Sequence, residues 1–166
     1  MKTIISIATV VLAFAVLSRT TWAGEANLLK PTNSTENWRL EQHEEGKATA
    51  AVDGDALTID VTNVDAELWH VQLFQTKLDL KAGKDYVLTF KAKASVARDI
   101  SCVAGIDQED WHNLGLEETA SLATDWKDYK FTFTVGDPVK DNNRVGFMLG
   151  QAKGKVWLKD VTLTAK

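Results

Sequence analysis

Beyond residue 24 the sequence alternates apolar and polar residues with a period of two, in short runs broken by turn signals. Thr49 to Val52, Asp53-Gly54-Asp55 and Ala56 to Val61 read as a hairpin, because Asp-Gly is favoured where both turn residues need positive φ. Trp69 to Leu80 reads as one long strand, or two with a bend, and Lys81-Ala82-Gly83-Lys84 as a turn. Tyr86, Leu88, Phe90, Ala92 and Ala94 then share one face, with Val87, Thr89, Lys91 and Lys93 on the other. Ile100, Cys102, Ala104 and Ile106 line up in the same way, as do Tyr129, Phe131, Phe133 and Val135. Arg144, Gly146 and Met148 alternate with Val145, Phe147 and Leu149. Val156, Leu158, Val161 and Leu163 close the chain, and the slip in their spacing predicts a bulge near Asp160. No segment carries a helical period; Gly115 to Ala123 has room for one helical turn at most. Eight or nine short strands predict an all-β protein, an antiparallel β-sandwich of jelly-roll type.

The first residues break this pattern. Lys2, the uncharged apolar run Ile4 to Leu17, and the small residues of Thr21-Trp22-Ala23 predict a signal peptide over residues 1–23, cut before Gly24. The run is too short to span a bilayer comfortably and no second one follows, so membrane insertion is not expected. Nor is a bacterial lipid anchor, because no Cys stands at the cut. Removing 23 of 166 residues leaves 143, one domain over residues 24–166, secreted or periplasmic.

The net charge of −4 becomes −6 once Lys2 and Arg19 leave with the leader. Without a basic run, nucleic acid is not an expected partner. Cys102 is the only cysteine, so an internal disulfide and a Cys-rich metal site are both excluded. The core must hold the fold unaided.

The five tryptophans of the mature chain are unevenly placed. Trp38 is expected to cap one end of the core, Trp126 to pack at the rim, and Trp157 to face away from Val156 and Leu158. Trp111 stands in Asp107-Gln108-Glu109-Asp110-Trp111-His112-Asn113, a run otherwise wholly polar. Trp69 opens Trp69-His70-Val71-Gln72-Leu73-Phe74-Gln75. Aromatic planes beside amides and acids suit sugars: the C–H face of a pyranose stacks on an indole, and its hydroxyls pair with planar polar groups. A loop Trp folded onto the sandwich edge, and a partly buried strand Trp, are the alternatives for Trp111 and Trp69.

The order of these segments resembles the carbohydrate-binding modules of families 4, 9 and 22, carried by many bacterial cellulases and xylanases. The likeness rests on Asn27-Leu28-Leu29, Trp38, Ala56-Leu57-Thr58-Ile59, Trp69-His70-Val71-Gln72-Leu73 and the run Leu80 to Ala94. It continues through Thr124-Asp125-Trp126 to Phe133, Val145 to Gly150 and Val156 to Leu163. The resemblance implies a galactose-binding-like jelly roll whose concave sheet holds one glycan chain and does not cleave it. It implies Trp69 and Trp111 as aromatic walls, Gln72 and Gln75 as hydrogen-bonding groups, Asp107 at the cleft edge, and Arg144 and Met148 facing the cleft. No cofactor is required; a structural calcium on Asp160 is a further implication. The family's aromatic–Glu–Gly segment is replaced here by Lys30-Pro31-Thr32-Asn33-Ser34-Thr35, and one carboxylate is a poor site for an ion that wants six to eight oxygens.

The implied ligand is a polysaccharide or oligosaccharide. The polar set leaves glucan, xylan, mannan and acidic glycans open, with Arg144 tilting toward the acidic ones. The chain has no room for a hydrolase, so a separate glycoside hydrolase or an envelope protein is the expected partner. A protein-binding envelope sandwich and a small glycosidase are the competing readings. Catalysis finds little support. Glu109-Asp110 and Glu117-Glu118 are adjacent acids, expected on opposite faces of a strand, and His43, His70 and His112 lack metal-site spacing. Cys102 on an apolar face reads as inert.

Overall fold

The structure is a computed structural model, described over residues 26–166; the expected leader, residues 1–23, lies outside the described residues. Ten strands form two antiparallel five-stranded sheets. In chain order they are β1 Arg39–Gln42, β2 Lys47–Asp53, β3 Ala56–Asn63, β4 Val71–Leu78, β5 Asp85–Ala94, β6 Arg98–Ile106, β7 Asn113–Leu122, β8 Lys127–Thr134, β9 Asn143–Met148 and β10 Gly154–Ala165. One sheet runs β1-β4-β9-β6-β7 and the other β2-β3-β10-β5-β8. Apart from the β2–β3 and β6–β7 hairpins, successive strands cross between sheets, which is the jelly-roll arrangement the alternation predicts.

The core lies between the inward faces. Leu88, Ala92, Leu158, Val156 and Ile59 of the second sheet meet Leu73, Phe147, Cys102 and Val145 of the first, all fully buried. Phe90 meets Phe147 of the other layer edge-on at 5.0 Å between centroids and stacks on Tyr129 of its own sheet at 5.0 Å. Trp38 caps this core. Its ring lies 6.2 Å from that of Phe147 and its indole N–H donates to the Pro31 carbonyl at 3.3 Å.

The hairpin of β2 and β3 pairs Asp53 with Ala56, so Gly54 and Asp55 make a two-residue turn. Gly54 alone has positive φ, 64°. That is the turn with Gly at its first central position, not the Asp-Gly turn with both central residues at positive φ that was expected. The bulge of β10 falls where its spacing slips, between Lys159 and Thr162, with Asp160 at φ 52°.

Two strands depart from expectation. Residues 115–123 hold no helical turn; all but Ala123 belong to β7, whose Leu114, Leu116, Ala120 and Leu122 are buried. Glu118 interrupts that apolar series at an edge strand, where solvent reaches it, and so hides the period of two. β1, with the sequence Arg-Leu-Glu-Gln, has one apolar residue and exists because its backbone pairs with β4. Trp69 does not open β4. It sits in a 3₁₀ turn, Leu68–His70, that delivers the chain into the strand.

Candidate binding cleft

The outward face of the first sheet is built by register. Glu41, Gln72, Met148, Ser101 and Thr119 stand side by side across β1, β4, β9, β6 and β7. The next row is Arg39, Phe74, Gly146, Val103 and Glu117. Residues two apart on a strand share a face, so Arg144 joins this surface beside Gly105. A Cβ on Gly146 would overlap the Leu73 carbonyl oxygen and the backbone of Phe74, so β9 and β4 are packed too closely there for any side chain.

These rows enclose an open cleft of about 460 Å³ lined by Glu41, His43, Trp69, Gln72, Trp111, Arg144 and Met148. A shallower extension of about 190 Å³ continues past Trp111 and Arg144 over Val103, Gly105 and Glu117. Trp69 at 41 % and Trp111 at 55 % exposure are the large apolar groups offered to solvent along it. Trp69 is held edge-on by His70, centroids 4.1 Å apart, and flanked by His43 at 5.4 Å. Its indole N–H donates to Glu67 Oε2 at 3.1 Å, and His70 is fixed in turn by Asp65, 2.7 Å from Nδ1.

Trp111 comes from the loop between β6 and β7. That loop folds back so closely that a Cβ on Gly105 would come within 3.1 Å of the His112 carbonyl oxygen. The Arg144 guanidinium lies over the Trp111 ring at 4.8 Å and over Phe74 at 4.3 Å.

The charges of the cleft are paired. Glu41 holds Arg39 Nε at 2.6 Å and Arg144 Nη1 at 3.6 Å, and Arg39 makes a bidentate pair with Asp107. Two guanidiniums and two carboxylates cancel. Burial pushes the Arg144 pKa down while Glu41 opposes it; the hydrogen bond that Arg39 donates to Asp107 raises that of Arg39. Gln72 is the exception to this satisfaction. It is buried at the cleft floor and its Oε1 accepts no hydrogen bond within the protein.

Of the seven residues singled out from sequence for ligand contact, the structure gathers five: Trp69, Gln72, Trp111, Arg144 and Met148. Asp107 is not among the lining residues; its carboxylate serves Arg39. Gln75 lies elsewhere. Its Oε1 accepts from the Lys30 N–H and its Nε2 donates to the Lys30 carbonyl, both at 2.7 Å, tying the N-terminal segment to β4. An odd spacing from Gln72 sends it to the opposite face. Glu41 and His43 were missed because β1 was missed.

Asp160 stands on the bulge of β10, more than half exposed, with Lys91 Nζ at 3.5 Å from its carboxylate. Among the described residues no group of three or more His, Cys, Asp or Glu converges on one point. A calcium shell at Asp160 would need backbone and amide oxygens for nearly all its ligands, so the donor set fits that ion poorly. Cys102 is buried with its thiol pKa pushed up to about 12, chiefly by desolvation, and carries no reactivity. Glu109 and Asp110 are turn residues, not strand neighbours.

A family model described as a carbohydrate binding domain matches residues 26–153. A solved family 4 carbohydrate-binding module is 26 % identical, covering 84 % of this chain and 97 % of its own, with a TM-score of 0.70. The second N-terminal cellulose-binding domain of the Cellulomonas fimi β-1,4-glucanase C is 22 % identical over 86 % of this chain and 95 % of its own, TM-score 0.65. A family 22 xylan-binding domain from Paenibacillus barcinonensis is 12 % identical over 86 % and 96 %, TM-score 0.57. No curated protein matches the chain.

Proposed function

The chain belongs to the carbohydrate binding domain family whose model spans residues 26–153, and from that premise we propose that it holds a single polysaccharide chain in the groove of the first sheet. Carbohydrate binding without catalysis is the general property of that family. The observation that carries the finer reading is the pairing, in one groove, of two exposed indoles with a buried amide oxygen that has no donor. Sugar rings stack on Trp69 and Trp111, and a hydroxyl bonds the Gln72 amide at the cleft floor. Arg144, held between Phe74 and Trp111, donates to ring or linkage oxygens. Because Glu41 and Asp107 already neutralise Arg144 and Arg39, the reading favours a neutral glycan over an acidic one. We take the protein to act outside the cytoplasm, from the leader pattern of residues 1–23, beside a separate glycoside hydrolase.

Native affinity electrophoresis tests this. Gels cast with soluble cellulose derivatives, mixed-linkage glucan, xylan and mannan are compared with a pectin gel. Retardation on a neutral polymer, lost in Trp111→Ala without a change in melting temperature, is expected. Equal migration on every gel, or retardation by pectin alone, would overturn it.

A further inference from the structure

The loop that carries Trp111 is strained. Asp110 has φ 88° and Trp111 φ 46°, two successive residues other than glycine in the left-handed region. Something outside the loop must hold it. Before Trp111 the tie is Asn142 of the β8–β9 connection: its carbonyl accepts from the Asp107 N–H, and its Nδ2 donates to Gln108 Oε1, both at 2.8 Å. After Trp111 the tie is His112. Its Nδ1 lies 2.9 Å from Asp110 Oδ2 and its Nε2 lies 2.8 Å from the Asp137 carbonyl oxygen, on the same β8–β9 connection.

Both partners of the imidazole can only accept. A neutral ring carries one N–H and makes one of these bonds; the imidazolium carries two and makes both. We infer that His112 is a positioning residue: as the imidazolium it latches the Trp111 platform to the β8–β9 connection, and loss of its proton loosens the platform and weakens glycan binding. The effect on binding rests on the function proposed above; the latch does not.

The charged groups facing the ring are Asp110 from its own loop and Asp137 from the β8–β9 connection, both acidic. The hydrogen bonds to Asp137 and then Asp110 hold the His112 pKa above its ordinary 6.5. A group whose pKa is raised on folding contributes fully below its unfolded value. That contribution fades as pH climbs through the raised one. The platform is therefore firm in mild acid and loose in mild alkali.

The test uses mature protein labelled with 5-fluorotryptophan, with the Trp111 resonance identified by its absence from Trp111→Phe. Spectra are taken from about pH 5.5 to about pH 8.5, in parent, His112→Ala and His112→Gln proteins. In the parent the Trp111 resonance moves with a midpoint above 6.5; in both variants it does not. A resonance that stays still in the parent, or titrates equally in the variants, overturns the latch. The second arm is retardation on the neutral polysaccharide gel at the two ends of that range. The parent binds about threefold or more weakly at the alkaline end, and His112→Ala binds weakly at both. A parent retarded equally at both ends overturns the link to binding. If no polysaccharide retards the parent at any pH, the proposed function fails and the resonance alone decides the latch.

Discussion

Gln72 and Gln75 sit three positions apart on β4, and the odd spacing gives them opposite fates. Gln75 uses both ends of its amide on the backbone of Lys30, so Gln75→Ala removes two partly buried hydrogen bonds and costs about 1–3 kcal/mol. Denaturant unfolding reads that loss, while affinity for the retarding polysaccharide stays at the parent value. Gln72 lines the cleft, and its buried Oε1 has no donor within the protein. Gln72→Met, close in volume and free of the unpaired oxygen, is expected to leave stability level or slightly higher while affinity falls about tenfold. Reversed results for the two variants would mean the wrong glutamine has been placed in the cleft. The family resemblance made both residues candidates; only strand phase separates them. That phase was legible in the sequence, since Val71, Leu73 and Phe74 surround them, but Phe74 breaks strict alternation by covering the outer floor beneath Arg144.

At the scale of elements, legibility followed burial. β5 and β10 pack one apolar face on the core and carry polar residues on the other, so their period shows. β8 and β9 were also readable, and the Arg144–Met148 face followed from them. β1 was not. Its existence is decided by backbone pairing to β4, and its side chains Arg39 and Glu41 answer to charges from the β6–β7 loop and β9 that no local window contains. Two glycines separate sheet from site. A methyl at Gly146 meets backbone of β4 on a central strand, and Gly146→Ala is expected to cost on the order of 3 kcal/mol. A methyl at Gly105 meets the His112 carbonyl oxygen at 3.1 Å, at the root of the Trp111 loop. Gly105→Ala is therefore expected to weaken polysaccharide retardation with a smaller change in melting temperature than Gly146→Ala. A Gly105→Ala protein that loses stability but keeps full affinity would show the loop to be independent of its root.

On the whole molecule the two outer faces differ in what their tryptophans meet. On the first sheet Trp69 and Trp111 stand open beside the cleft. On the second, Lys93 Nζ lies 5.2 Å from the Trp126 ring and 5.0 Å from the Trp157 ring, and Lys159 Nζ lies 4.8 Å from Trp126. An exposed indole in the sequence is thus no sign of a sugar platform until its neighbours are known. The same second sheet carries Asp160, the residue that decides whether a metal helps hold the fold. Its carboxylate faces Lys91 across the bulge, and the nearby Asp55 carboxylate faces Lys159 at 3.3 Å. The N-terminal segment alongside is tied by hydrogen bonds: Asn27 Oδ1 accepts from the Leu29 and Leu163 N–H groups at 3.1 and 2.9 Å, and the Leu28 N–H donates to the Leu163 carbonyl at 2.8 Å. With Asp160 and Asp55 beside lysines and the terminus pinned by an amide, this end of the sandwich is expected to hold together without calcium. Thermal unfolding in excess chelator is accordingly expected within about 2 °C of unfolding in millimolar calcium. A loss of more than about 5 °C, which corresponds to roughly 1–2 kcal/mol in a domain of this size, would mean that backbone and amide oxygens around Asp160 complete a metal site after all.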